Sequence, residues 1–474
     1  MYPARRATAK YWQFSFGIVL TLAAGRLAAA DGNWPQFRGE GALGIADGRA
    51  LPTEFDVASG KNIVWKIAAP GLSHASPIVW GEHVFIWTAA PTAAGTEQSL
   101  KVGLYGAGDS AEDMVEHEWK LICLNKKSGK TVWEQVAYRG EPKFKRHTKA
   151  TQANSTPATD GKCIVVLGPN GLTCYGMDGR QKWTRELGPL DVGPHNAKEL
   201  HWGFAASPIL ADGRVVVQCD IKENAYIAAF DAADGRELWR TPRDDVPGWS
   251  TPAAATIDGS TQIIANGCKR MAGYDLSDGR DIWHMSGGGG IPVPTPVIDD
   301  GLIYLTSNHR PLRNADPTKP IFVLKTPLKG EIATPAASQP TSAETAPSQP
   351  PQAHVAWMKT GRGNYMQTPL VYRGLAYFCN DNGMLTAYDA RTGEEAFRER
   401  LGGGSTGFTA SMVAGDGKLF VTSEEGEVFI LSAGRSLEIL GNDLLDDVCL
   451  ATPAISEGCL YFRTQHGVVA IAAR

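Results

Sequence analysis

Along most of the chain the apolar residues come in short runs. Each run is cut off by glycine, proline, asparagine or aspartate. Cys163-Ile164-Val165-Val166, Val215-Val216-Val217 and Tyr226-Ile227-Ala228-Ala229-Phe230 are examples. Runs this short, rich in β-branched and aromatic residues and bounded by turn formers, predict strands; unbroken apolarity predicts strands covered on both faces. Asp212-Gly213 and Asp234-Gly235 mark hairpin turns, because both residue types accept positive φ.

These strands repeat as a unit. A small residue, then Ser or Thr, then Pro or a substitute, opens a strand at Ser76, Thr156, Ser207, Thr251, Thr295, Thr368, Ser411 and Thr452. Five of the seven intervals lie between 41 and 51 residues, and the others are 80 and 73. Four strand-like runs per unit at that period are the mark of propeller blades. A Trp follows the last turn glycine by four residues at Gly129/Trp133, Gly179/Trp183, Gly235/Trp239 and Gly279/Trp283, and Phe397 follows Gly393 likewise. One large ring per unit predicts packing between neighbouring blades. The last unit, 449–474, has only three strand runs, and its missing fourth appears as Asn62–Ile67 near the other end. The expected fold is all-β: an eight-bladed β-propeller of four-stranded antiparallel blades, closed by an N-terminal strand that completes the last blade and leaves no open edge there.

The turn pattern in Lys127-Ser128-Gly129-Lys130-Thr131-Val132-Trp133 resembles the tryptophan-docking repeat of pyrroloquinoline quinone (PQQ) propellers. Trp34-Pro35-Gln36-Phe37-Arg38-Gly39 resembles the opening of many exported members. Over about residues 33–474 the chain is similar to bacterial PQQ-binding-like β-propeller repeat proteins, related in fold to the propeller lipoprotein of the outer-membrane β-barrel assembly machinery and to quinoprotein dehydrogenases. The resemblance implies a fold, and a fold does not supply a function.

Residues 1–30 read as a signal peptide. Arg5, Arg6 and Lys10 precede an apolar stretch over Tyr11–Gly25, and Ala28-Ala29-Ala30 suits cleavage before Asp31. The expected location is the periplasm or outside the cell, with no stable membrane insertion after cleavage. Loss of Arg5, Arg6, Lys10 and Arg26 takes the formal net charge from −4 to −8, which argues against nucleic acid as a partner. The eight cysteines are scattered, form no C-x-x-C motif and sit mostly in apolar runs, so buried, inert thiols are expected.

Alternating strand direction puts the first-to-second and third-to-fourth turns on one face. The second-to-third turns and the blade connections fall on the other. Two insertions depart from the repeat. Ala89–Glu118 interrupts the second-to-third connection of unit one, carries the acidic run Asp109–Glu118, and is long enough to fold over the funnel mouth. Lys329–Gln352 replaces the third-to-fourth turn of unit five; its Pro/Ala/Ser/Thr-rich composition predicts a disordered tether. The connection face collects the less repetitive polar and aromatic residues, and the candidate ligand-binding set is His147, Asn154, His201, Trp202, Trp249, Lys269, Asn364 and Tyr365. The competing role for each is hydrogen bonding to neighbouring loop backbone.

Catalytic signatures are weak. Gly402–Gly407 matches two glycine-rich motifs but leads into the strand Phe408–Val413, whereas both motifs require a helix. Asn380-Asp381-Asn382-Gly383 looks like a calcium loop, lacks the bidentate acid, and lies between two strand runs, so it reads as a hairpin turn. By resemblance, a quinoprotein dehydrogenase would hold PQQ between a Trp and an adjacent-cysteine disulfide, with calcium on carboxylate and amide groups; no Cys-Cys pair occurs. The expected function is a non-catalytic exported propeller, a binding or scaffold module for a protein or small-molecule ligand on the connection face, with no catalytic residues, metal or cofactor. The alternatives are a PQQ- and calcium-dependent dehydrogenase and a hydrolase or other enzyme using the funnel polar residues.

Overall fold

The structure is a computed structural model that describes residues 32–93, 95–96, 98, 100–104, 110–195, 197–307, 319–333 and 353–474. The signal-peptide reading of 1–30 and the tether reading of 334–352 fall outside these residues. Eight sheets form the eight blades of a propeller, each with four antiparallel strands in simple up-and-down order, to which blade 4 adds a fifth. The last blade is completed by Ile63–Ala68, which pairs antiparallel with Gly467–Ala472.

Burial explains the strand patterns. The second and third strands of a blade are covered on both faces, so Val215–Cys219 and Tyr226–Phe230 are buried throughout. Outer strands are polar around one ring: in Gln181–Glu186 only Trp183 is buried. The buried side chains form layers between neighbouring blades, such as the layer that joins blades 2 and 3 through Val165, Cys174, Val217 and Phe230.

Two devices lock the blades together. At the axis, the N–H of six of the eight motif Ser/Thr residues donates to the hydroxyl of the next one: Ser76 to Thr156, Thr156 to Ser207, Ser207 to Thr251, Thr295 to Thr368, Thr368 to Ser411 and Ser411 to Thr452, all at 2.9–3.0 Å. At the periphery, the docking indoles of Trp65, Trp133, Trp183, Trp239 and Trp357 donate Nε1–H to carbonyls of the next blade's turn. The turn glycine then lies on the indole face: a Cβ on Gly235 would come within 2.6 Å of Trp183.

The Trp34–Gly39 segment crosses the inner ends of the blades. Trp34 bridges to Val79 of blade 1, Pro35 O accepts from Thr159 of blade 2, and Gln36 Oε1 accepts from Leu210 of blade 3. The fully buried Arg38 guanidinium donates to Pro369 O of blade 6 and Met412 O of blade 7. Ala46 and Gly44 then pair with Ala414. The segment touches the inner strands beyond the motif hydroxyls, at the turn-face end of the axis.

Parts of both insertions are built into the sheets. In blade 1 the long strands His83–Pro91 and His117–Asn125 pair over their whole length, so Ala89–Pro91 and His117–Glu118 belong to the sheet. Gly330–Ile332 is a fifth strand on blade 4, parallel to Asp281–Met285. It places Ile332 in the same apolar layer as the fully buried Trp283, which is why this part of the 329–352 stretch is not disordered.

Two glycines with the same backbone conformation separate strain from docking. Gly213 has φ +71° and open space around it, whereas Gly235 has φ +72° and abuts Trp183. Gly213→Ala is expected to lose about 1–2 kcal/mol, the cost of a left-handed side-chain-bearing residue. Gly235→Ala should lose clearly more, read as a larger drop in denaturant midpoint at unchanged m-value. Equal losses would show that the docking contact adds nothing.

Candidate functional site

The chain enters each blade from the connection face, and the residue two before the motif hydroxyl marks the funnel wall. These residues are His74, Asn154, Ala205, Trp249, Val293, Met366, Thr409 and Leu450. Six of them are partly exposed, while the residue after each is buried in all eight blades. This alternation follows from extended backbone, in which successive side chains point to opposite sides. The wall is apolar from Ala205 to Met366 and polar at Thr409, His74 and Asn154.

The structure draws most of the predicted residues into one cluster. Trp202 and Trp249 pack at a tilt of 34° with ring centroids 5.8 Å apart, and the His147 ring meets Trp202 edge-on at 5.3 Å. Tyr365 packs against the same apolar layer. Trp249 Nε1 donates to Gly203 O at 2.8 Å. His201 stacks on Phe144 at 5.3 Å, and its Nδ1 lies 2.7 Å from Asp191 Oδ1, beside Lys222. The Asn154 amide is spent on backbone and a neighbour: Oδ1 accepts from Thr151 N and Oγ1, and Nδ2 donates to Thr151 O and Phe204 O. Trp202 is buried, so its indole supports the face from behind.

Two predicted residues lie apart. Asn364 is fully buried and donates to Gln367 O. Lys269 is exposed on a turn whose amides at 268, 269 and 270 all donate to Asp245, and its Nζ lies 3.3 Å from Asp244. Asp245 in turn sits with Asp220 around the buried Arg243 guanidinium, so this group serves as a structural clamp.

Sequence reasoning missed Glu424. It looks like a surface acid in Glu424-Glu425, yet its side chain is only 1% exposed. Its carboxylate accepts from Lys149 Nζ at 2.6 Å, Thr409 Oγ1 at 2.7 Å and Gly103 N at 2.7 Å. Lys149 Nζ also donates to Gly103 O. Part of the blade 1 insertion therefore reaches past blade 8 to blade 7, and Arg146–Asp113 pins it at 2.7 Å beside blade 2. On the neighbouring turn, burial pushes the Asp381 carboxyl above its ordinary value against the pull of Lys149 and Lys319. The Asn380–Gly383 segment is a hairpin turn closed by Gly383 N to Asn380 O.

Beside the cluster, a cleft of about 60 Å³ opens between the blade 1–2 connection, the 167–169 turn and the blade 2–3 connection. Its lining includes Phe144, Leu167, Leu190, Phe204, Asn154 and Lys143.

Eight sheets, axial hydroxyls and docked indoles define the chain as a tryptophan-docked β-propeller. The family model described as "Outer membrane protein assembly factor BamB" matches residues 118–316 and 341–474, and the chain belongs to that family. The propeller is similar to BamB from Moraxella catarrhalis (TM-score 0.52, 13% identity, covering 81% of this chain and 98% of that one). It is also similar to the quinohemoprotein alcohol dehydrogenase ADHIIG from Pseudomonas putida HK5 (TM-score 0.55, 11% identity, 93% and 80% covered). A third likeness is to the computationally designed Ika8 protein (TM-score 0.50, 10% identity, 85% and 100% covered). At these identities the likeness concerns the fold. A search of curated proteins found no match.

The donor groups do not fit a quinone site of the kind the resemblance implies. No two cysteines are adjacent, and seven of the eight are buried. Burial pushes the Cys123, Cys219, Cys379 and Cys449 thiols up to about 12, away from thiolate chemistry. The buried acid of the funnel, Glu424, already has its oxygens taken, and the Asn266 amide donates to Pro294 O and Thr306 O. Among the described residues no group of three His, Cys, Asp or Glu side chains is placed to hold a metal ion.

His74 gives the funnel wall a pH signature. Its Nε2 lies 2.6 Å from Lys149 O and so carries the proton that it donates. Burial pushes the imidazole from 6.5 down to about 4. The unfolded chain therefore takes up a proton at a higher pH than the folded one, and stability falls as pH drops from about 6.5 towards 4. His74→Gln keeps an amide donor for Lys149 O and removes the titration. The variant should lose less stability than the wild type over that window, by up to about 1.4 kcal/mol per pH unit in chemical denaturation. Parallel profiles would refute the assignment.

Proposed function

We propose that the chain is a non-catalytic binding or scaffold propeller of the cell envelope, and that its partner engages the blade-connection face. The observation that carries this reading is the Trp34–Ala46 segment, which ties the inner strands of blades 1, 2, 3, 6 and 7 together at the turn-face end of the axis. The segment narrows the axis at that end, so the connection face is the side from which we take a partner to approach. There the polar side chains mostly hold loop backbone: Asn154 holds Thr151 and Phe204, Trp249 holds Gly203, and Glu424 holds Gly103. Groups committed in this way give a rigid, shaped surface, which suits recognition more than proton transfer. Export rests on the leader pattern of residues 1–30, with membership of an outer-membrane assembly factor family in support.

Photo-crosslinking amino acids at Glu112 and Lys269, both exposed on the connection face, are expected to give protein adducts in intact cells. The same label at Asp234 and Asp278, exposed on the turn face, should give few. Adducts confined to the turn face would overturn the choice of face. Stoichiometric, calcium-dependent binding of PQQ to the purified protein, read by absorbance, would overturn the non-catalytic reading in favour of the dehydrogenase.

A further inference from the structure

The cleft beside the aromatic cluster is small and chemically one-sided. Its apolar walls are Phe144, Leu167, Pro169, Leu190 and Phe204. Leu167 and Leu190 are buried, but both phenylalanine rings are only partly covered, so apolar surface remains for an occupant. The polar lining residues are already engaged: Asn154 with Thr151 and Phe204, and Ser155 with Ala206 O. Lys143 is the one charged residue in the lining, and it is exposed.

Size narrows the occupant. At about 60 Å³ the cleft is well below the roughly 300 Å³ from which small-molecule sites begin. It suits a single aliphatic or aromatic side chain, with the rest of the ligand outside. Lys143 at the rim favours negative charge beside that side chain. The walls are also fixed in advance. Asn154 Nδ2 ties the blade 1–2 connection to Phe204 O at 3.1 Å, and Trp249 Nε1 ties Gly203 O at 2.8 Å. A preformed slot loses little conformational freedom on binding.

We propose that this cleft anchors a partner polypeptide by one leucine- or phenylalanine-sized side chain followed by an acidic residue that reaches Lys143. The proposal rests on the reading that the connection face is the binding face. It assigns part of the predicted set a role behind the slot: Trp202 and Trp249 set its shape, and Asn154 forms one wall.

The test uses the full chain with labelled leucine methyl groups, so that Leu167 and Leu190 report from inside the cleft. The probe is the peptide acetyl-Gly-Leu-Asp-Gly-amide. It should shift both methyl signals saturably. Replacing its Leu by Gly, or its Asp by Lys, should weaken the effect about tenfold or more. Lys143→Glu should weaken it similarly without changing the melting temperature, because Lys143 is exposed. Absent shifts, or equal binding of the Asp and Lys peptides, would overturn the proposal. Hexanoate binding as tightly as the peptide would also overturn it, since the cleft would then be a site for free carboxylic acids. If the cleft methyls stay still while crosslinks still map to the connection face, the anchor falls and the choice of face survives.

Discussion

The rest of the structure depends on a girdle of hydrogen bonds around the axis. Six of the eight motif hydroxyls accept the N–H of their counterpart in the preceding blade, and only those of Ser76 and Thr295 do not. The residues are buried, so an N–H left without that oxygen would cost about 1–3 kcal/mol. This accounts for the Ser/Thr of the repeat. It also constrains the radius of the ring, because six of the eight blade-to-blade steps must stay within one hydrogen bond. The entry loops, and hence the funnel wall two residues upstream, inherit their positions from it.

The docked indoles perform the matching task at the periphery. An indole that both donates a hydrogen bond and covers a glycine needs a bare backbone beneath it, and this couples the Trp of one blade to the Gly of the next. Blade 4 departs from the pattern. Its Trp283 is covered with the help of Gly330–Ile332, supplied by the insertion of blade 5. The chain thus covers the same ring by different means, and the outer strand of blade 4 gains a partner.

The connection face combines these constraints with two long-range ties. Lys149 and Glu424 are brought together with the blade 1 insertion, and the Trp34–Ala46 segment ties inner strands together at the far end of the axis. The funnel wall on the connection face is apolar over blades 3 to 6 and polar around blades 7, 1 and 2. Many polar groups of this surface are already holding backbone.

The propeller was legible in the sequence because its determinants are local and repeated. A hydroxyl before proline, an Asp-Gly turn and a Trp four residues after a glycine recur at a nearly constant period, and the stray strand Asn62–Ile67 showed how the ring closes. Candidate residues could be assigned to a face, because strand direction alternates. What the sequence could not express was which of them meet. Lys149 and Glu424 are 275 residues apart, and Gly103 and Glu424 are 321 apart; no local pattern carries such a contact. Trp202 and Asn364 looked as available as His147, yet burial by other blades took them out of reach. Local hydrogen bonding and turn chemistry determined the blades. Closure of the ring, which brings distant blades face to face, decided which side chains stand at the funnel and which lie behind it.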